Sequence, residues 1–119
     1  MPKFKDLAAE YASLWEKATV NPQHLAKVQA VANQMKGFKT KYDAVCARTK
    51  VPWQVVAAIH NLEGSFNFNT HLHNGDPLTG RTVHVPAGRP KTGSPRFDWV
   101  DSAVDALSMK GMHEVTIGR

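Results

Sequence analysis

Apolar residues recur along this chain at intervals of three and four, and the pattern divides it into helical blocks around one long polar stretch. Phe4, Leu7, Ala8, Tyr11, Leu14 and Trp15 form the first stripe. Asn21-Pro22 then supplies a cap residue and a proline suited to a first helical position, so the first helix is expected to end near residue 18. From Leu25 the stripe runs on through Val28, Val31, Ala32, Met35, Phe38, Tyr42 and Val45. This predicts either one long amphipathic helix bent at Gly37 or two helices meeting there. A third stripe opens at Pro52 and carries Trp53, Val56, Ile59 and Leu62. Gly64 stands where a left-handed cap is expected, which makes Glu63 the last residue of that helix.

The periodicity stops there. Residues 65–96 are rich in Asn, Gly, Pro and Thr, the composition of a loop or small sheet. Asn74-Gly75-Asp76-Pro77 and Thr79-Gly80 are turn chemistry, while Thr82, Val83, His84 and Val85 have strand composition, so a short irregular hairpin is expected. Helix returns at Ser94-Pro95, carries Trp99, Ala103, Val104 and Leu107, and stops at Gly111. The expected fold is therefore mainly α, with helices flanking a small β-hairpin. Trp15, Trp53 and Trp99 fall at helical core positions. The tail from Met112 to the end is too short to assign.

Composition narrows the class. A chain of 119 residues buries one core, so a single domain over 1–119 is expected. Apolar residues make up 42%, enough for a globular fold. Cys46 is the only cysteine, which excludes an intramolecular disulfide and suits synthesis in a reducing compartment. The N-terminal residues lack the apolar segment of a signal peptide, and no run reaches transmembrane length. Synthesis in the cytoplasm, with action on any external target only after release by another route, is the expectation. Fifteen Lys and Arg against ten Asp and Glu give a net charge of +5, spread without a compact basic run. That charge suits nucleic acid, anionic lipid or the bacterial wall and does not choose among them.

Glu63 is the candidate for acid chemistry. Val56, Ile59 and Glu63 share a helical face, so the carboxyl extends an apolar stripe, and it also sits at the negative end of the helix dipole. Both effects favour its protonated form. A carboxylic acid held protonated near neutral pH can donate to a leaving glycosidic oxygen. Its partner in an inverting hydrolase is a carboxylate or hydroxyl holding a water roughly 6.5–9.5 Å away. Asp76 is the other acidic residue of the polar stretch, with the hydroxyls of Thr79 and Thr82 close behind. Asp76 is equally suited to an Asx-turn, and Arg81 to pairing with it and holding it ionised.

At these residues a family resemblance emerges. Val51-Pro52-Trp53, Ala57-Ala58-Ile59 and Leu62-Glu63-Gly64-Ser65-Phe66-Asn67 resemble the helix of lysozyme-like muramidases and lytic transglycosylases, whose catalytic Glu ends a helix before Ser, Phe and Asn. Phage-type lysozymes pair that Glu with an Asp and, six residues on, a Thr; Asp76 and Thr82 keep the interval. The block Phe66-Asn67-Phe68-Asn69, His71 to Thr79 and Val85 to Pro90 is similar to peptidoglycan-acting bacterial and phage proteins, so the likeness covers about residues 50–110. The resemblance implies a lysozyme-like fold that cleaves the bond between N-acetylmuramic acid and N-acetylglucosamine without a cofactor. In that reading Glu63 is the acid, and Asp76 or Thr82 places the water. Phe66, Phe68, Asn67, His71, His73, Thr79 and Arg81, on the insertion beside the acid, become the sugar contacts. Two departures stand against it. The gap from Glu63 to Asp76 is longer than the family's, and transglycosylases work with the Glu alone. The chain also stops soon after its Trp99 helix, where relatives continue for several helices. It is expected to be a minimal version, a fragment, or half of a split enzyme completed by a second polypeptide or a second copy.

Three other readings compete. His60, His71, His73 and His84 offer a metal arrangement, although no Cys completes a set and contacts to water, hairpin or sugar are the commoner role. Lys36, Lys39, Lys41 and Lys50 near Phe38 and Tyr42 would suit nucleic acid, without a recognition motif. The third keeps the lysozyme-like fold as a non-catalytic wall-binding module.

Overall fold

The computed structural model describes residues 4–109 and 111, and over these the chain is mainly helical. The order is α1 (Phe4–Lys17), a turn of 3₁₀ helix (Pro22–His24), α2 (Leu25–Gly37), α3 (Lys39–Thr49), α4 (Trp53–Gly64) and α5 (Trp99–Met109). The tail from 112 onward lies outside the described residues. No described helix is long and apolar enough to cross a membrane. The chain forms two compact units, Met1–Asn33 and Gln34–Arg119.

In the first unit, Asp6 near the start of α1 and Lys17 at its end complement the helix dipole. The Asn21 side chain accepts from the backbone N–H of Gln23 at 2.9 Å, and Pro22 takes the first position of the short turn, as the sequence suggests. Trp15 does not reach a core: it is 82% exposed. None of the unit's described residues is fully buried, because so short a segment encloses too little volume around the stripe of α1.

Within the second unit the helix breaks at Phe38, one residue past Gly37. The Phe38 carbonyl accepts from Lys41 and Tyr42 at 3.0 and 3.3 Å, opening α3, while its own N–H closes α2 on Met35. Its ring packs against Phe66 and Phe68, with centroids at 6.0 and 5.0 Å, so this junction also receives the start of the polar insertion. α3 ends on Lys50, left-handed at φ 63, and Pro52 opens α4. The core takes Tyr42 and Val45 from α3, Val56 and Ala57 from α4, and Trp99, Ala103, Ala106 and Leu107 from α5. Leu72 and Leu78 enter it from the insertion.

Four expectations are corrected. The hairpin is not formed: among the described residues, the insertion contains one isolated bridge, Thr70 to Pro77, and otherwise irregular chain. The N–H groups of Val83 and His84 are captured by the Asp76 carboxylate instead of a facing strand, and Val83 and Val85 stand 74% and 89% exposed. The last helix starts at Trp99, not Ser94, because Asp98 caps it through the backbone N–H of Asp101 at 3.0 Å. Leu62, counted in the stripe of the third helix, is 82% exposed, since α4 buries Val56, Ala57 and His60. Gly64 is the last helical residue and the left-handed cap passes to Ser65 (φ 49) and Phe66 (φ 64). Gly64 serves close packing instead, as a Cβ there would stand 3.1 Å from Thr70 Oγ1.

The packing sets a clear contrast. Leu72→Ala and Leu107→Ala should each cost about 2–5 kcal/mol, and Leu62→Ala should stay within about 0.5 kcal/mol. Urea midpoints of the three variants measure this directly.

Candidate functional site

The end of α4 meets the insertion at a backbone contact. A Cβ on Gly75 would lie 2.9 Å from the Glu63 carbonyl oxygen, and Gly75 has φ +86, so only glycine lets the Asn74-Gly75 turn sit against this helix end. Glu63 is exposed, beside the buried stripe and not on it. The burial that its spacing suggests is therefore absent. The other described carboxylates of the second unit are committed: Asp43 to Lys39, Asp98 to its helix cap, Asp101 to Arg48, Asp105 to Arg89 and His73, and Asp76 to the insertion. Glu63 is the one among the described residues of this unit that no hydrogen bond or ion pair engages.

Three buried imidazoles hold the insertion to the helices. His60 Nδ1 accepts from the Tyr42 hydroxyl at 2.8 Å, and its Nε2–H donates to the Asn67 carbonyl at 3.0 Å. Burial pushes the Tyr42 phenol up to about 12 and lowers His60, the Asn67 bond only partly opposing it, so both stay neutral. His71 accepts from Ser102 of α5 at 2.6 Å and donates to the Gly80 carbonyl at 2.7 Å. His73 donates Nε2–H to Asp105 at 2.6 Å, and Arg89 clamps the same carboxylate at 2.7 and 3.1 Å. Burial also holds His73 below the usual imidazole value, against the pull of Asp105. Its Nδ1 is buried without a partner among the described residues.

Asp76 is a hub. Its Oδ2 accepts from the backbone N–H groups of Val83 and His84 at 2.9 and 3.0 Å and from the Asn74 side chain at 3.2 Å. Its Oδ1 accepts from His84 Nδ1 at 2.7 Å. Burial alone would raise this carboxyl, but the bonds from His84 and Val83, with the charge of His84, hold it down at about 2. The Asx-turn belongs to Asn74, whose Oδ1 accepts from the Asp76 N–H at 2.9 Å.

No family model, curated protein or solved structure matches the chain.

The remaining sequence candidates divide by exposure. Thr82 is buried, giving its hydroxyl proton to the Pro86 carbonyl and accepting from Arg89 N–H. His71 and His73 are buried as well, whereas Asn67, Thr79 and Arg81 are exposed and Phe66 is half-buried. Arg81 does not pair with Asp76: it donates to the carbonyls of Pro90 and Gly93 and lies over the Phe97 ring. An open cavity of about 730 Å³ lies elsewhere, over the outer side of α5, and neither Glu63 nor Asp76 lines it. Among the described residues, no group of three or more His, Cys, Asp or Glu side chains could hold a metal ion. Sequence reasoning missed Tyr42, Arg89, Ser102 and Asp105 as anchors and His84 as the partner of Asp76. The signal for His84 was its place eight residues after Asp76 in the strand-like run, read for backbone propensity and as a metal candidate but not as a partner of that carboxylate.

These shifts fix the sign of the pH response. His60 and His73 lie below the ordinary 6.5, so the unfolded chain binds protons first and stability falls as pH drops below about 6.5. Asp76, held at about 2, contributes stability that is present above 3.8 and lost between there and about 2. Thermal midpoints measured against pH should therefore decline in two windows, and Asp76→Asn should remove the lower one.

Proposed function

We propose that the chain is a lysozyme-like, peptidoglycan-cleaving glycosidase in which Glu63 donates the proton to the leaving glycosidic oxygen. The observation that carries this reading is the exposed, unengaged carboxyl of Glu63 in the last turn of α4, whose backbone carbonyl meets the polar turn at Gly75. An acid that must reach substrate cannot be spent on an internal bond, and here the neighbouring carboxylates are. The likeness of residues 51–67 to the helix of muramidases and lytic transglycosylases points to the same side chain. A glycan strand lying across this tip would exclude water from Glu63, the condition under which a carboxyl keeps its proton near neutral pH.

The bond cut is the one between N-acetylmuramic acid and N-acetylglucosamine, and no cofactor is required. The bonds that engage Asp76 and Thr82 count against either oxygen holding the attacking water alone. Phe66, Asn67, Thr79 and Arg81 remain the accessible candidates for sugar contacts. Because Glu63 does not line the large cavity, the groove would take its far wall from a second polypeptide or a second copy of the chain. The net charge of +5 favours adsorption to the anionic wall, which the enzyme would reach after release from the cytoplasm.

Glu63→Gln should lower the rate of clearing of a cell-wall suspension by about 100-fold or more. Its thermal midpoint should match that of the wild type, since no bond to the side chain is lost. Equal wall binding without clearing by either protein would instead identify a binding module.

A further inference from the structure

With Glu63 as the proton donor, hydrolysis still needs a group to take a proton from the attacking water. We propose that His84 is that base: Asp76 accepts its Nδ1–H and leaves the Nε2 lone pair of an exposed ring free for the water. The inference rests on the glycosidase reading and adds a second catalytic residue to it.

The geometry has three parts. The Asp76 carboxylate is pinned by backbone N–H groups at Val83 and His84 and by the Asn74 amide, so its second oxygen has a fixed place from which to hold the ring. Asn74 also donates to the carbonyls of His84 and Val85 at 3.1 and 3.4 Å, tying down the backbone that carries the imidazole. An ionised carboxylate can only accept, so the 2.7 Å bond places a proton on Nδ1, and in the neutral ring the lone pair is then on Nε2. The ring is nevertheless 79% exposed while its carboxylate is 10% exposed. A buried anion orienting an accessible imidazole is the arrangement that prepares a general base.

The other described imidazoles of this unit are excluded by their surroundings. His60 and His71 use both ring nitrogens in internal bonds, and His73 is buried. Among the described residues of the second unit, His84 alone combines an oriented ring with solvent access. The charged group in contact with it is Asp76, and the turn that carries Asp76 rests against the backbone carbonyl of Glu63 at the end of α4.

The step balances as follows. Glu63 gives its proton to the glycosidic oxygen as the bond from C1 to that oxygen breaks. Water bonds to C1 through its oxygen and gives one proton to His84 Nε2, and the imidazolium formed is stabilised by Asp76. One water is consumed, two sugar hydroxyls result, and return of the proton through solvent to the Glu63 carboxylate restores both groups.

The test uses the full chain on isolated walls, with rates and muropeptide masses for the wild type, Glu63→Gln and His84→Gln, and nitrogen NMR of the histidines. A Gln at 84 retains an N–H for Asp76 but cannot take a proton. His84→Gln should lower kcat by about 100-fold or more with KM little changed, and should flatten the rise of the wild-type rate with pH. Added imidazole should restore part of the rate to His84→Ala. Wild-type products should carry reducing ends, one water heavier than anhydro ends, and His84 should be the Nδ1–H tautomer at neutral pH. Wild-type rates in His84→Gln alongside an inactive Glu63→Gln, anhydro ends, or the Nε2–H tautomer would each overturn the role of His84 and leave that of Glu63 standing. A wild type that releases no muropeptides overturns both.

Discussion

The second unit depends on buried imidazoles placed where a sheet would otherwise supply hydrogen bonds. Residues 65–98 contain no regular element, yet Leu72 and Leu78 reach the core, and the polar groups that travel inward with them must be satisfied. His60, His71 and His73 do this by joining the insertion to α3 and α5 through side-chain partners on those helices. A neutral imidazole both donates and accepts, so one ring bridges a loop carbonyl and a helix hydroxyl without burying a charge. Burial keeps His60 and His73 neutral, and the same neutrality makes the fold sensitive to acid.

Two carboxylates near one turn show how environment divides chemical roles. Asp76 collects donors from Asn74, Val83 and His84, which hold it ionised and give it a positioning task. Glu63, whose carbonyl touches the same turn, presents its carboxyl to solvent without a partner. Internal bonds order a side chain and at the same time withdraw its oxygens from substrate. The proposed division follows: Glu63 for proton donation, and Asp76 for orienting an imidazole that meets the water. It also joins the polar insertion to the helix tip as one functional piece, because Gly75 allows a backbone approach that a Cβ would block.

The helices were legible from the linear pattern. Periodicity placed α1 to α4 within a few residues, and turn chemistry at Asn74-Gly75 and the stop at Gly111, left-handed at φ 70, emerged where glycine preferences indicate. Short-range rules suffice here because caps and stripes act within one or two turns of the chain. Glu63 at the helix end was legible for the same reason. Its exposure was not, since the spacing of Val56, Ile59 and Glu63 does not say which edge of a stripe faces the core.

What the linear pattern could not contain are the pairings across long separations. Val83 and Val85 have strand composition, but a strand needs a facing partner, and Asp76 took the N–H groups first. Likewise, nothing local distinguishes His84 from His71: one ring is exposed on a carboxylate and the other sealed against Ser102, thirty-one residues away. Residue order set the helices and the chemical types available at the insertion, through interactions between near neighbours. Tertiary packing chose which of those groups are buried as struts and which face solvent, because burial and partner geometry arise only when distant segments meet.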